Sequence, residues 1–135
     1  MSFETLIDRR PAILTEAARE FWDGIDREEL VLPRCSICHK WSWYPDPAGC
    51  CKSDSLKWTV RPGTGSIFTF TRVHFDFLPD VLGAQPYNVA LVELDGTEGI
   101  RFVGLLSFDD PVIGQRVRIE FVDRPYGKFP LFVQD

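Results

Sequence analysis

Residues 32–58 read LPRCSICHKWSWYPDPAGCCKSDSLKW and hold all four cysteines of the chain. Cys35 and Cys38 form a C-x-x-C pair, and Cys50 and Cys51 follow after a segment with the length of a hairpin arm and its return. A C-x-x-C turn aims two thiolates at one point, and a second cysteine-bearing turn facing it completes a tetrahedral sulfur site. The arms carry Trp41, Trp43 and Tyr44, and the turn between them is rich in Pro45, Asp46, Pro47 and Gly49. This is the profile of a zinc ribbon, in which metal stands in for a large core. The metal ligands read from the spacing are therefore Cys35, Cys38, Cys50 and Cys51.

The second turn departs from the regular pattern. It reads Ala48-Gly49-Cys50-Cys51, so alanine occupies the position where a second C-x-x-C would place its first cysteine. Cys50 can take over only if the backbone twists to send two adjacent sulfurs to one ion. Two other readings stay open: a metal-free ribbon whose thiols pack as small hydrophobes, and a vicinal Cys50–Cys51 disulfide.

Outward from the ribbon, the chain is bounded by its 135 residues, enough for one ordinary domain or a small domain with a metal-stapled appendage. Its net charge of −5 opposes the phosphate neutralisation that a nucleic-acid binder needs. The opening MSFETLIDRRPAIL has no apolar run of signal or transmembrane length, so a cytoplasmic protein without a membrane span is expected. Upstream of the ribbon, ILTEAAREFWDGI (residues 13–25) places Leu14, Ala18, Phe21, Trp22 and Ile25 at helical spacing, with Gly24 marking its end. Leu30–Leu32 enters the ribbon as a short strand.

Downstream, five strands are expected. SIFTFTRVHF (66–75) places Ile67, Thr69, Thr71 and Val73 on one face and Phe68, Phe70, Arg72 and His74 on the other. DFLPDVLGAQPY (76–87) is too long and apolar for a plain hairpin loop. NVALVEL (88–94), IRFVGLLSF (100–108), RVRIEFV (116–122) and KFPLFV (128–133) complete the set. Gly104 suits a bulge or tight bend, and Pro130 restricts the last strand to an edge or bulge. The fold class is mainly β: an N-terminal helical segment (1–29), a ribbon (30–60) and a small five-stranded barrel (61–135). The OB-fold is the five-stranded candidate, although strand counts alone do not separate it from an SH3-like barrel or a small sandwich.

The order of these motifs resembles one family. It runs Phe21-Trp22, then Leu30, Leu32, Cys35 and Cys38, then Tyr44-Pro45-x-Pro47, then Cys51, Ser53, Leu56 and Trp58. G-x-G-S-I-F-T-F-T (63–71), P-Y-N-V-A-L-V-E-L (86–94) and I-G-Q-R-V-R-I-E-F (113–121) follow. The family is the domain-of-unknown-function group with a rubredoxin-like zinc ribbon and a C-terminal OB-fold, associated with acyl-CoA metabolism. The resemblance implies an accessory subunit beside a thiolase-like protein, in a heterotetramer built on the partner's dimer, with acyl-CoA at or near the interface. Members bridge thiolases and synthases, pair with thiolase-like aldolases that cleave steroid side-chain CoA thioesters, or accompany hydratases. The family pattern has four ribbon cysteines, and its third falls here on Ala48.

The residues themselves agree that catalysis lies elsewhere. His39 follows the C-x-x-C and reads as a turn residue, and no carboxylate pair, Ser-His-Asp or Cys-His spacing indicates a nucleophile. A docking surface is expected from the helix face near Trp22, from the C-terminal strand (128–133) and from the loop containing Phe75, Phe77, Leu78 and Tyr87, with His74 at its edge. Arg72, Arg101 and Lys128 are candidates to meet CoA phosphates. The competing readings are a CoA-binding scaffold, a single-strand nucleic-acid binder using Phe68, Phe70 and Phe102, and a rubredoxin-like iron site.

Overall fold

The computed structural model describes residues 16–44, 51, 55–74 and 86–135. Cys50, Ala48, Phe75, Phe77 and Leu78 lie outside the described residues, as does the expected start of the helix at Ile13.

Helix α1 (Glu16–Asp26) packs along the apolar stripe formed by Phe21 and Ile25, both buried. It runs two residues past the expected stop at Gly24. That glycine answers a packing need: a Cβ there would lie 2.7 Å from Cγ2 of Val31. The helix is closed off just beyond Asp26 by Glu28, which takes a left-handed φ of 62° while Glu29 N–H donates to the Gly24 carbonyl at 2.9 Å. The chain then reverses into β1 (Leu30–Cys35), which pairs antiparallel with β2 (Leu56–Arg61), from Leu30 opposite Arg61 to Cys35 opposite Leu56.

The remaining strands are β3 (Thr64–Val73), β4 (Tyr87–Leu94), β5 (Arg101–Leu105), β6 (Arg116–Arg124) and β7 (Gly127–Gln134). They form an antiparallel sheet in the order β5-β4-β3-β6-β7. The two ends meet through a parallel bridge between Leu106 and Phe132, where Ser107 N–H donates to the Phe132 carbonyl at 2.9 Å. This five-stranded arrangement closed by a parallel contact is the OB-fold barrel. Closure demands a close approach: a Cβ on Gly104 would run into the Phe132 ring. Gly104 thus sits in regular register opposite Ala90, not in a bulge.

The bulge lies in β3 instead. Its register against β4 shifts between Ile67 and Thr69, so the strict alternation expected there fails. Ile67 is buried, Phe68 and Thr69 are exposed, and Phe70 turns back to pack on the core. An extra residue in one strand moves every later side chain to the opposite face.

One buried cluster runs through helix, ribbon and barrel. It includes Phe21 and Ile25 of α1, Leu30, Leu32 and Trp41 of the ribbon, and Ile67, Val92, Phe102, Val117 and Phe132 of the barrel. Arg61 ties ribbon to barrel at the rim. Its Nη2 donates to the Asp95 carbonyl at 2.5 Å, and its guanidinium lies 5.3 Å from the Trp41 ring centroid. Gly96, at a φ of 71°, leaves room for it, since a Cβ there would collide with Arg61. The Asp95 carboxylate is gripped by Arg116, with Nη1 to Oδ1 at 2.9 Å and Nη2 to Oδ2. That guanidinium holds the Asp95 carboxyl down at about 2, against the opposing effect of burial.

Candidate metal site and apolar groove

The first knuckle is built by backbone. Cys35 N–H donates to the Lys40 carbonyl and His39 N–H to the Cys35 carbonyl, each at 2.9 Å, with His39 at a left-handed φ of 64°. These bonds fold residues 35–40 into a tight loop. Within it the N–H groups of Ile37 and Cys38 point at Cys35 Sγ, at 3.4 and 3.5 Å. Across from it, Cys51 brings a third sulfur, and the Sγ atoms of Cys35, Cys38 and Cys51 all lie within 4.8 Å of one another.

This geometry fits a metal. Tetrahedral coordination at about 2.3 Å per sulfur separates the sulfurs by roughly 3.8 Å, a small rotamer adjustment away. Backbone N–H groups aimed at Cys35 Sγ favour its thiolate form. Cys35, Cys38 and Cys51 can therefore hold a metal ion, which would tie Cys51 to the first knuckle and play a structural part. Cys35 is buried, and Cys38 and Cys51 are exposed.

The second feature is an apolar groove of about 370 Å³ where helix, ribbon and barrel meet. The helix supplies Phe21 and Trp22, the ribbon Trp43 and Tyr44, β5 Phe102 to Leu105, and β7 Phe129 and Pro130. Its floor is an aromatic junction: Phe21 lies 5.1 Å from both Trp22 and Trp43 and 5.6 Å from Phe102, centroid to centroid. Its rim is exposed, Val103 at 62% and Tyr44 at 56%. No charged side chain lines it.

Of the expected contact residues, Trp22 lines this groove and also stacks on Phe129 at 6.2 Å. The other five that are described are spread over the barrel. Arg72 and His74 are exposed at and after the end of β3, and half-buried Tyr87 opens β4 opposite Val73. Arg101 lies over the Phe68 ring at 3.8 Å. Lys128 is engaged by Asp123 at 2.6 Å, while its N–H donates to Asp26 at 3.0 Å. None of these five lines the groove. Phe129 and Pro130 of the groove belong to the C-terminal strand that the sequence reading named, whereas it missed Tyr44 and Val103. The aromatic pair Trp43-Tyr44 was the available signal, whereas nothing in the β5 pattern marks Val103.

A ribbon carrying three convergent thiols, set on an OB-fold barrel and sharing an exposed apolar groove with it, defines a ribbon-plus-OB-fold class of protein. The comparisons agree. The family model for the ChsH2 C-terminal OB-fold domain matches residues 58–122. A solved structure described as the Ltp2-ChsH2(DUF35) aldolase superposes with a TM-score of 0.78 at 30% identity, covering 93% of this chain and 98% of that one. The chain therefore belongs to the ChsH2-type DUF35 family. A DUF35-family protein of unknown function from Sulfolobus solfataricus shares the fold, with a TM-score of 0.63 at 17% identity over 98% of this chain and 96% of that one. The alpha subunit of a 3-oxo-4,17-pregnadiene-20-carboxyl-CoA hydratase from Mycobacterium tuberculosis is 37% identical over 113 residues, 78% of this chain. The chain spans about a third of the length of that curated relative, 33%. Among the described residues, no helix is long and apolar enough to cross a membrane.

Proposed function

We propose that this chain is the non-catalytic accessory subunit of a thiolase-like aldolase that cleaves acyl-CoA thioesters. The observation that carries this reading is its likeness, over 98% of that chain, to a solved structure described as the Ltp2-ChsH2(DUF35) aldolase. The groove supports it: apolar, rimmed by exposed aromatic and aliphatic side chains and free of charge, it suits a protein contact. The reaction is a retro-aldol cleavage. A general base on the partner removes the hydroxyl proton of a β-hydroxyacyl-CoA, the Cα–Cβ bond breaks, and the thioester enolate departs and is protonated. A branched, steroidal acyl group is the specific substrate proposed. This chain orders the partner's active site across the interface, in a heterotetramer with CoA near the contact, and works in the cytoplasm.

The ribbon holds zinc through Cys35, Cys38 and Cys51, with Cys50 as the fourth ligand. The helical segment, ribbon and barrel (residues 1–29, 30–60 and 61–135) act as one docking body. A second reading, a scaffold for a hydratase complex, draws on the match to the hydratase alpha subunit. Reconstitution separates the two. The partner is assayed for cleavage of β-hydroxyacyl-CoA thioesters alone and with one equivalent of this chain. Cleavage that requires the chain supports the accessory reading; cleavage unchanged by its omission leaves only the scaffold.

A further inference from the structure

Arg34 and Lys57 stand directly opposite each other across β1 and β2, and both are exposed. Like charges in that register work against the strand pair. Lys40, exposed at the exit of the knuckle, adds a third cation. Residues 30–61 contain five basic and two acidic side chains, an excess of positive charge in a chain whose net charge is −5. Elsewhere among the described residues four cations are matched: Arg27 pairs with Glu29, Arg116 with Asp95, Arg118 with Glu120 and Lys128 with Asp123. Among the described residues, no ion pair includes Arg34, Lys40 or Lys57.

These cations do not serve the sulfurs. Cys35 Sγ accepts its hydrogen bonds from the backbone N–H groups of Ile37 and Cys38. Arg34 is held away from them, its Nε donating to the His39 carbonyl at 2.9 Å and its guanidinium 5.1 Å from the Trp41 ring centroid. Three thiolates on a divalent ion leave one negative charge and four leave two, in either case fewer than the three exposed cations. Arg34 is thus fixed before any partner arrives, which lowers the entropy cost of using it. Beside it the knuckle exposes Ile37, at 52%. Fixed, unmatched positive charge around an exposed aliphatic side chain complements an acidic peptide surface with an apolar residue in it.

We infer that the exposed end of the ribbon, with Arg34 opposite Lys57 and Lys40 on the adjoining knuckle, is a docking surface for an acidic segment of a partner protein. This goes beyond the proposed function, because it rests on the charge of the partner and not on its reaction. Poly-L-glutamate is the probe, titrated at low ionic strength into the full-length, metal-loaded chain and followed by tryptophan fluorescence and calorimetry. Saturable binding that fades as salt is added is expected. Lys40→Glu with Lys57→Glu weakens it by about tenfold or more, while Arg19→Glu on the helix leaves it unchanged. Lys57→Glu also sets a carboxylate opposite Arg34, so the thermal midpoint holds or rises and lost binding is not lost folding.

Absence of polyglutamate binding by the wild type, or equal binding by the double variant, overturns the inference. The same double variant, used as bait beside the wild type, should capture less of any co-purifying partner. Equal capture at every salt concentration also overturns it. A wild-type bait that captures no partner defeats the proposed function, and polyglutamate then decides this inference alone.

Discussion

Replacing Phe21 with alanine removes the side chain on which helix, ribbon and barrel converge. Phe21 is 4% exposed and lies within 5.6 Å, centroid to centroid, of Trp22, Trp43 and Phe102. Phe→Ala at a closed core site costs about 3–5 kcal/mol, the lost transfer energy plus the cavity. Here one side of the ring borders the groove, so water or a shifted Trp22 can refill part of the space. That places the cost near the lower limit, about 3 kcal/mol. Against a typical total of about 5–15 kcal/mol the loss is large. With a urea m-value of about 2 kcal/mol/M, the unfolding midpoint falls by about 1.5 M. Because one cluster spans all three parts, the transition stays single, and the near-ultraviolet dichroism of the tryptophans is lost with the far-ultraviolet signal in both proteins. A midpoint shift under about 0.5 M, or a wild type whose ribbon and barrel unfold in separate steps, refutes the shared core.

Gly104→Ala forces a Cβ into the Phe132 ring and strains the barrel closure, costing about 1–3 kcal/mol in the same urea assay; an unchanged midpoint contradicts the tight β5–β7 approach. Asp95 sets an acid limit. Its folded pKa of about 2 lies below the unfolded value of 3.8, so the stabilisation is complete above about pH 4 and lost as pH falls through 2. The side chains of Arg116 and Asp95 are 48% and 42% exposed, so solvent screening keeps this below about 1 kcal/mol. Asp95→Asn should remove that part of the pH dependence between 4 and 2, and an identical wild-type and variant profile there counts against the pair. Metal analysis of protein never exposed to chelator should give about one divalent ion per chain, falling by most of its value in Cys38→Ser; well under one ion in the wild type contradicts the thiolate site.

Local features were legible where the physics is local. The C-x-x-C spacing announced a knuckle because a six-residue turn needs little from the rest of the chain. Phe21, Trp22 and Ile25 announced the helix face, and the alternation in RVRIEFV announced β6. What escaped depends on distant partners. Gly24 resembled a helix stop, but its missing Cβ accommodates Val31. Gly104 read as a bulge or a tight barrel bend; it is not a bulge but accommodates Phe132 where the barrel closes, and the real bulge sits at Phe68, where unbroken alternation of apolar and β-branched residues hid it. The groove was legible only in part, through Trp22 and the C-terminal strand. It draws Trp22, Tyr44, Val103 and Phe129 from four elements brought together only by barrel closure and helix docking. Family resemblance supplied the barrel type that strand counting left open, and the parallel Leu106–Phe132 bridge is the physical feature that supports it.

The central claim, a subunit made to sit on a thiolase-like partner, is tested most directly by tagging this chain in its own host and quantifying what elutes with it. The account predicts a thiolase-like protein in near-equal amount, and its loss when Val103→Asp puts a charge on the exposed rim of the groove. A chain that elutes alone, or a Val103→Asp bait that retains the same partner in the same amount, contradicts it.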